Sequence, residues 1–251
     1  MSTVTRIEVH RRDGRPTCTF RGGHLAPRRI DAPDGRVRVA LVATVALLLA
    51  GDAVRIEVVV GGGIDLEIVE IAGTVAYDMR GGSATWDVDA RVEDGALLVW
   101  AGLPCVFADG ADVLRSTTVA LEGSGRAVLR ETFAFGRSGE GGGDLRASTI
   151  ATHDGRPLLV EDLDLRRAHR AEPAVMGDAR CFDAVTILGE RLADEPGVLQ
   201  LDGSGSIARR LLRDVHASDL SRRMQVATDK TRRRNTTSLG SEPQLDPVAG
   251  S

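Results

Sequence analysis

From Val54 onward the chain alternates apolar and polar positions in short runs, and each run is closed by a turn rich in glycine. Alternation with a period of two marks strands buried on one face, because successive side chains of a strand point to opposite sides. Val54 to Val60, Asp65 to Ile71, Thr85 to Val92, Leu97 to Trp100, Val113 to Leu121, Ala127 to Phe135, Leu145 to Thr152 and Leu158 to Leu165 read as strands, preceded by Arg6 to His10 and Thr17 to Phe20. The glycines between them supply positive φ, as in Gly61 to Gly63, Gly123 to Gly125 and Asp154 to Gly155. Helical spacing is expected only late in the chain. One helix is placed at Phe182 to Ala193. A second runs from Ile207 to Ser221, capped by Ser204 or Ser206, with Ile207, Leu211 and Leu212 on its apolar face.

The strands also repeat. Gly125-Arg-Ala-Val-Leu-Arg-Glu131 is followed 30 residues later by Gly155-Arg-Pro-Leu-Leu-Val-Glu161, and weaker echoes begin at Gly95 and Gly63. Repeats of this length indicate stacked structural units. The expected fold is therefore mainly β, with wound or stacked sheets of β-helical, superhelix-like form and about two α-helices near the C-terminus. Residues 1–220 are taken as one domain and 221–251 as a polar, basic, disordered tail. Stacking would set Glu131 and Glu161 on neighbouring layers, and carboxylates inside a β body need water, a proton or a cation.

Charge and composition narrow the function. The net charge is −4. Residues 221–251 hold six basic and three acidic side chains, so the rest of the chain stands at −7. An acidic body argues against nucleic acid as a partner. The longest apolar stretch, Val39 to Ala50, is shorter than the roughly 18 residues of a membrane span, so no membrane association is expected. Cys18, Cys105 and Cys181 are odd in number and widely spaced, which suits a reducing, cytoplasmic setting better than a disulfide framework.

Most catalytic motifs are missing. No phosphate loop of the G-x-x-x-x-G-K-[ST] type occurs, and the glycine cluster at 139–143 reads as a mobile hairpin tip. Gly203 to Ala208 imitates a dinucleotide-binding turn, but no second strand and acidic residue follow it, so a helix entry is expected there. The five histidines share no ligand spacing and no nucleophile elbow accompanies them, leaving neither a resident metal site nor a Ser/His/Asp triad. Glu131 and Glu161 remain. They could line a cation path, serve a carbohydrate-active hydrolase as acid and base, or form salt bridges, Glu131 with Arg137 and Glu161 with Arg146. Two tryptophans, one tyrosine and five phenylalanines offer little of the aromatic platform that sugar sites use.

Five phrases in order carry a resemblance. They are Ala50-Gly51-Asp52 before a strand, Ala72 to Tyr77, Gly102-Leu103-Pro104 with Ala108 to Asp112, Arg130 to Arg137, and Leu158 to Leu163. Over roughly residues 17–215 this succession resembles the urease accessory protein UreD (UreH) family, most closely its actinobacterial type. The resemblance implies a non-catalytic scaffold of nickel-urease maturation with a wound β fold. Its implied partners are urease apoprotein, urease accessory protein F and, through F, the GTPase accessory protein G. Nickel would pass in transit through an acidic internal tunnel, with no cofactor held permanently. Carried over by motif, Asp52, Glu131 and Glu161 become the waypoints, and Thr74 and Tyr77 become tunnel or packing residues. The chain departs from the family's Thr-Lys-x-Tyr-Arg phrase, reading Thr74-Val75-Ala76-Tyr77-Asp78, and has Ala50 where the family's Gly-Gly-Asp step begins.

Overall fold

The computed structural model describes residues 4–32 and 35–238. The chain opens with β1 (Val4–Arg12), β2 (Arg15–Arg21), β3 (Leu25–Ile30) and β4 (Val37–Ala43). It then winds through β5 (Ala53–Val60), β6 (Asp65–Glu70), β7 (Thr74–Ala76), β8 (Ala84–Val92), β9 (Leu97–Ala101), β10 (Cys105–Phe107), β11 (Asp112–Leu121), β12 (Arg126–Phe135) and β13 (Asp144–His153). It closes with β14 (Arg156–Asp164), the single turn α1 (Arg167–Arg170), β15 (Cys181–Leu188), β16 (Val198–Gln200), β17 (Gly205–Leu212) and α2 (Leu220–Ser238).

The winding is that of a β-solenoid. Successive coils lay β5, β8, β11 and β13 side by side and parallel in one sheet, and β4, β6, β9 and β12 side by side and parallel in the other. The first sheet is extended by β1 and β2 at one edge and β14 at the other, and the second by β3 at one edge and β15, β17 and β16 at the other. Ala53 pairs with Thr85, Thr85 with Leu114, and Asp112 with Asp144, so the coils are 32, 29 and 32 residues long. Inward side chains of the two sheets fill the space between them: Ile56, Val58, Ala90 and Val119 from one, and Leu66, Ile68, Leu98 and Ala127 from the other. At one end the turns are stitched from coil to coil. Asp94 accepts the Ser124 amide, Asp154 accepts the Gly123 amide, and Glu93 accepts the Gly62 amide, each about one coil away. The observed 30-residue rhythm of glycine turns has this stacking as its cause.

The second copy of the repeat departs from the coil. Asp154 and Gly155 both adopt positive φ (49° and 74°), as the two central residues of a tight hairpin require. The strand therefore reverses, and β14 pairs antiparallel with β13 instead of crossing to the other sheet. Glu161 thus does not stack on Glu131: it lies in the first sheet opposite Thr149, whereas Glu131 lies in the second. The expected neighbouring layers are corrected accordingly.

The helices also lie elsewhere than expected. Residues 182–188 form strand β15, buried against the interior on one face and beneath α2 on the other, so its apolar residues show no period-two alternation. Residues 207–212 belong to β17, and Gly203 to Gly205 leads into that strand and not into a helix. The segment expected to be disordered from 221 is helical as far as Ser238, and 239–251 lie outside the described residues. In α2, Leu220, Met224, Ala227, Thr228 and Thr231 recur at helical spacing and are buried over Leu97, Val99, Val128, Val185 and Ile187. Arg232 ties its far end to Asp65 and Glu67, and Arg126 donates to the Thr231 carbonyl. The glycine cluster at 139–143 is clamped: Arg170 donates to the carbonyls of Gly141, Gly142 and Gly143, and Arg180 to that of Glu140.

Candidate functional site

Carrying the ladder register one residue past the ends of β6 and β9 places Glu70, Gly102 and Glu131 in one inward-facing row across three coils. The middle position is a glycine for a steric reason, since a Cβ there would come within 2.5 Å of the Arg130 carbonyl oxygen. Two carboxylates thus flank a position that carries no side chain of its own. From the facing sheet, Trp86 of β8 and Arg115 of β11, which pair with each other, approach the row.

Glu131 Oε1 accepts from Arg115 Nε at 2.8 Å and from Thr117 Oγ1 at 3.4 Å. Glu70 accepts from Trp100 Nε1 at 3.0 Å and from the Leu103 amide at 2.9 Å. Burial pushes the Glu70 carboxyl above the usual carboxylate range, against the Leu103 amide, the Arg115 charge and the Trp100 indole, which all favour its ionised form. The Arg115 guanidinium lies 5.2 Å from the Trp86 ring and 5.6 Å from Phe133, within cation–π reach of both.

A cavity of about 280 Å³ leads toward this row, lined by Leu47, Ile71, Thr74, Tyr77 and Trp86, with Glu70 at its inner side. Two small spaces of about 20 and 30 Å³ continue from there, and both border Glu70, Arg115 and Glu131. Thr74 and Trp86 line the wide cavity and the first small space alike. Tyr77 stands at the mouth, 42% exposed. The buried indole N–H of Trp86 has no hydrogen-bond acceptor, so water or a passing polar group is the natural partner for it.

Because the fold binds a proton at Glu70 more readily than the unfolded chain, its stability falls as pH rises from the ordinary carboxylate range through the raised value. Glu70→Gln is therefore expected to gain stability relative to the parent at pH 8 but not at pH 4. Urea midpoints measured across that range check this, and a difference independent of pH contradicts it.

The other sequence-derived site residues are placed apart from the row. Asp52 holds its own turn: Oδ2 accepts the Leu49 amide at 2.9 Å, and it does not line these three cavities. Glu161 accepts from Arg209 Nη2 at 2.6 Å, and Arg209 in turn lies over the Phe182 ring. The salt bridges expected from sequence have other partners. Arg137 pairs with Glu140 and Arg146 with Asp112. Glu131 and Glu161 lie on different sheets, and each is engaged by its own arginine. Among the described residues no group of three or more His, Cys, Asp or Glu is placed to hold a metal ion. No helix of the described residues is long and apolar enough to cross a membrane.

Glu70 and Arg115 were missed from sequence. Aligning the repeats on their glycines sets Val69, not Glu70, against Glu131, because Gly95 and Gly125 are 30 residues apart whereas the ladder from β9 to β12 steps by 29. Nothing in the glycine spacing shows that one-residue offset.

A sequence profile described as UreD urease accessory protein matches residues 2–231. A Streptomyces griseus protein named urease accessory protein UreD 1 is 42% identical, over 85% of this chain and 84% of its own length. A Frankia alni protein named urease accessory protein UreD is 35% identical, over 73% of this chain and 70% of its own.

Proposed function

The chain belongs to the UreD urease accessory protein family, and from that premise we propose that it is the scaffold through which nickel reaches apo-urease. As an accessory protein it serves urease maturation and is not itself the catalyst. In the fuller reading it binds urease apoprotein and accessory protein F in the cytoplasm. F brings the GTPase accessory protein G, and nickel crosses the interior as cargo.

The observation that carries this reading is the row Glu70, Gly102 and Glu131 behind an open cavity. Carboxylate oxygens and water hold nickel(II) less firmly than imidazole or thiolate, so two carboxylates suit transfer better than storage. Inward-facing carboxylates also lower the cost of bringing a cation into a low-dielectric interior. Burial pushes the nearby Cys105 thiol up to about 12, which disfavours the thiolate that would act as a soft ligand. Of the three acidic waypoints, Glu131 alone stands in the row beside the cavity. Glu131 would have to part from Arg115 and Glu161 from Arg209, and Asp52 would have to give up its turn. Thr74 and Tyr77 act as walls of the entry.

Affinity capture of this chain from a host coexpressing the cognate urease subunits and accessory proteins F and G tests the scaffold role. Apo-urease and F are expected to co-elute, with G present only when F is. Capture of neither urease nor F would reject the scaffold.

A further inference from the structure

We propose that Arg115 governs entry to the Glu70 and Glu131 row: its guanidinium occupies the cation position there and must withdraw before a divalent ion can take it. The proposal rests on the transfer role argued above and names the residue of the passage that sets when an ion is admitted.

The position of Arg115 is unusual for an arginine. It enters from the sheet opposite Glu131, with only 15% of its side chain exposed, and crosses the interior to reach that carboxylate. Trp86 and Phe133 hold the guanidinium by their ring faces. Such an arrangement gives a cation a defined resting place independent of any metal.

Space gives the second argument. With the guanidinium in place, the openings at the row are about 20 and 30 Å³, room for roughly one or two waters each. A divalent ion carrying six waters needs on the order of 60–90 Å³ on the same measure. The wide entry cavity admits such an ion, but the spaces at Glu131 do not. Arg115 therefore marks the constriction.

Room for the displaced side chain lies in the entry cavity, which shares Glu70, Thr74 and Trp86 with the space at the row. The cleft of about 300 Å³ that Arg115 also borders opens on the other face of its strand, with Leu114, Arg146, Asp162 and Asp164, and is out of the guanidinium's reach. Withdrawal would expose two carboxylates and the unpaired Trp86 N–H, which can hydrogen-bond a water of the arriving ion's shell. A guanidinium in place and an ion at the row exclude each other, both by charge and by volume.

Nickel binding to the purified full chain, followed by equilibrium dialysis, tests this. Arg115→Met is expected to bind nickel about tenfold more tightly than the parent, a coupling of ordinary size between two competing ligands. The gain should vanish in Arg115→Met/Glu131→Gln, and Arg115→Lys, which keeps the charge, should bind like the parent. If Arg115→Met melts early, Arg115→Gln is measured in its place with the same expectation. Equal affinity of the parent and the folded neutral variant overturns the gate. That failure is separable from failure of the transfer role: a Glu131→Gln chain that still matures urease removes the passage itself, whereas unchanged binding in Arg115→Met with impaired maturation by Glu131→Gln removes only the gate.

Discussion

Replacing Glu131 by glutamine is expected to reduce the nickel content of urease matured under limiting nickel by about tenfold, the low end of what losing a group beside a metal position costs. The assembly captured with this chain should be unchanged. Glutamine keeps the shape of the side chain and an oxygen that can accept from Arg115 Nε and Thr117 Oγ1, so packing at the row is preserved while the charge that attracts the ion is lost. Elemental analysis of purified urease, alongside a melting curve of the variant, gives the result. Full nickel loading with Glu131→Gln would remove Glu131 from the path. The same comparison with Glu161→Gln separates the two glutamates, since Glu161 is committed to Arg209 on the far side of a hairpin.

The largest effect on stability is expected at a residue with no part in the passage. Asp183 is fully buried on the outer face of β15, where Arg130 meets it through two nitrogens at 3.0 and 2.8 Å. Thr132 Oγ1 donates to it at 2.9 Å, and Ser218 donates to its second oxygen just ahead of α2. Arg130 also reaches Ser221 in the first turn of that helix. Asp183→Ala leaves a largely buried guanidinium without its counter-charge and loosens the start of α2, a loss of about 3–5 kcal/mol. Urea unfolding measures it. A loss below about 1 kcal/mol, the range of an exposed ion pair, would show that the network carries little of the fold.

How far the molecule could be read from its residues depended on which face each segment hides. In the central coils one face meets the interior and the other is more open, so β5 and β8 alternate cleanly and were legible as strands. In β15 both faces are covered, by the interior and by α2, and an unbroken apolar run does not distinguish strand from helix. The polar composition of α2 concealed it, because three apolar side chains, Leu220, Met224 and Ala227, suffice to seat it when arginine and lysine ties do the rest. Glycine spacing located Glu131 on a repeating unit, but the repeat could not announce that Asp154 and Gly155 would turn the chain back on itself. Nor could it show the one-residue offset that brings Glu70 level with Glu131. The motifs that resemble the UreD family were legible as residue phrases from the turn before β5 to β14, whatever the winding around them.

The most direct test of the central claim is the nickel content and activity of urease purified from a heterologous host that expresses the cognate urease cluster with or without this chain, under limiting nickel. The account predicts that urease made without the chain lacks both nickel and activity, and that restoring the chain restores them together. Equal nickel loading in its absence would contradict a role in maturation for this protein.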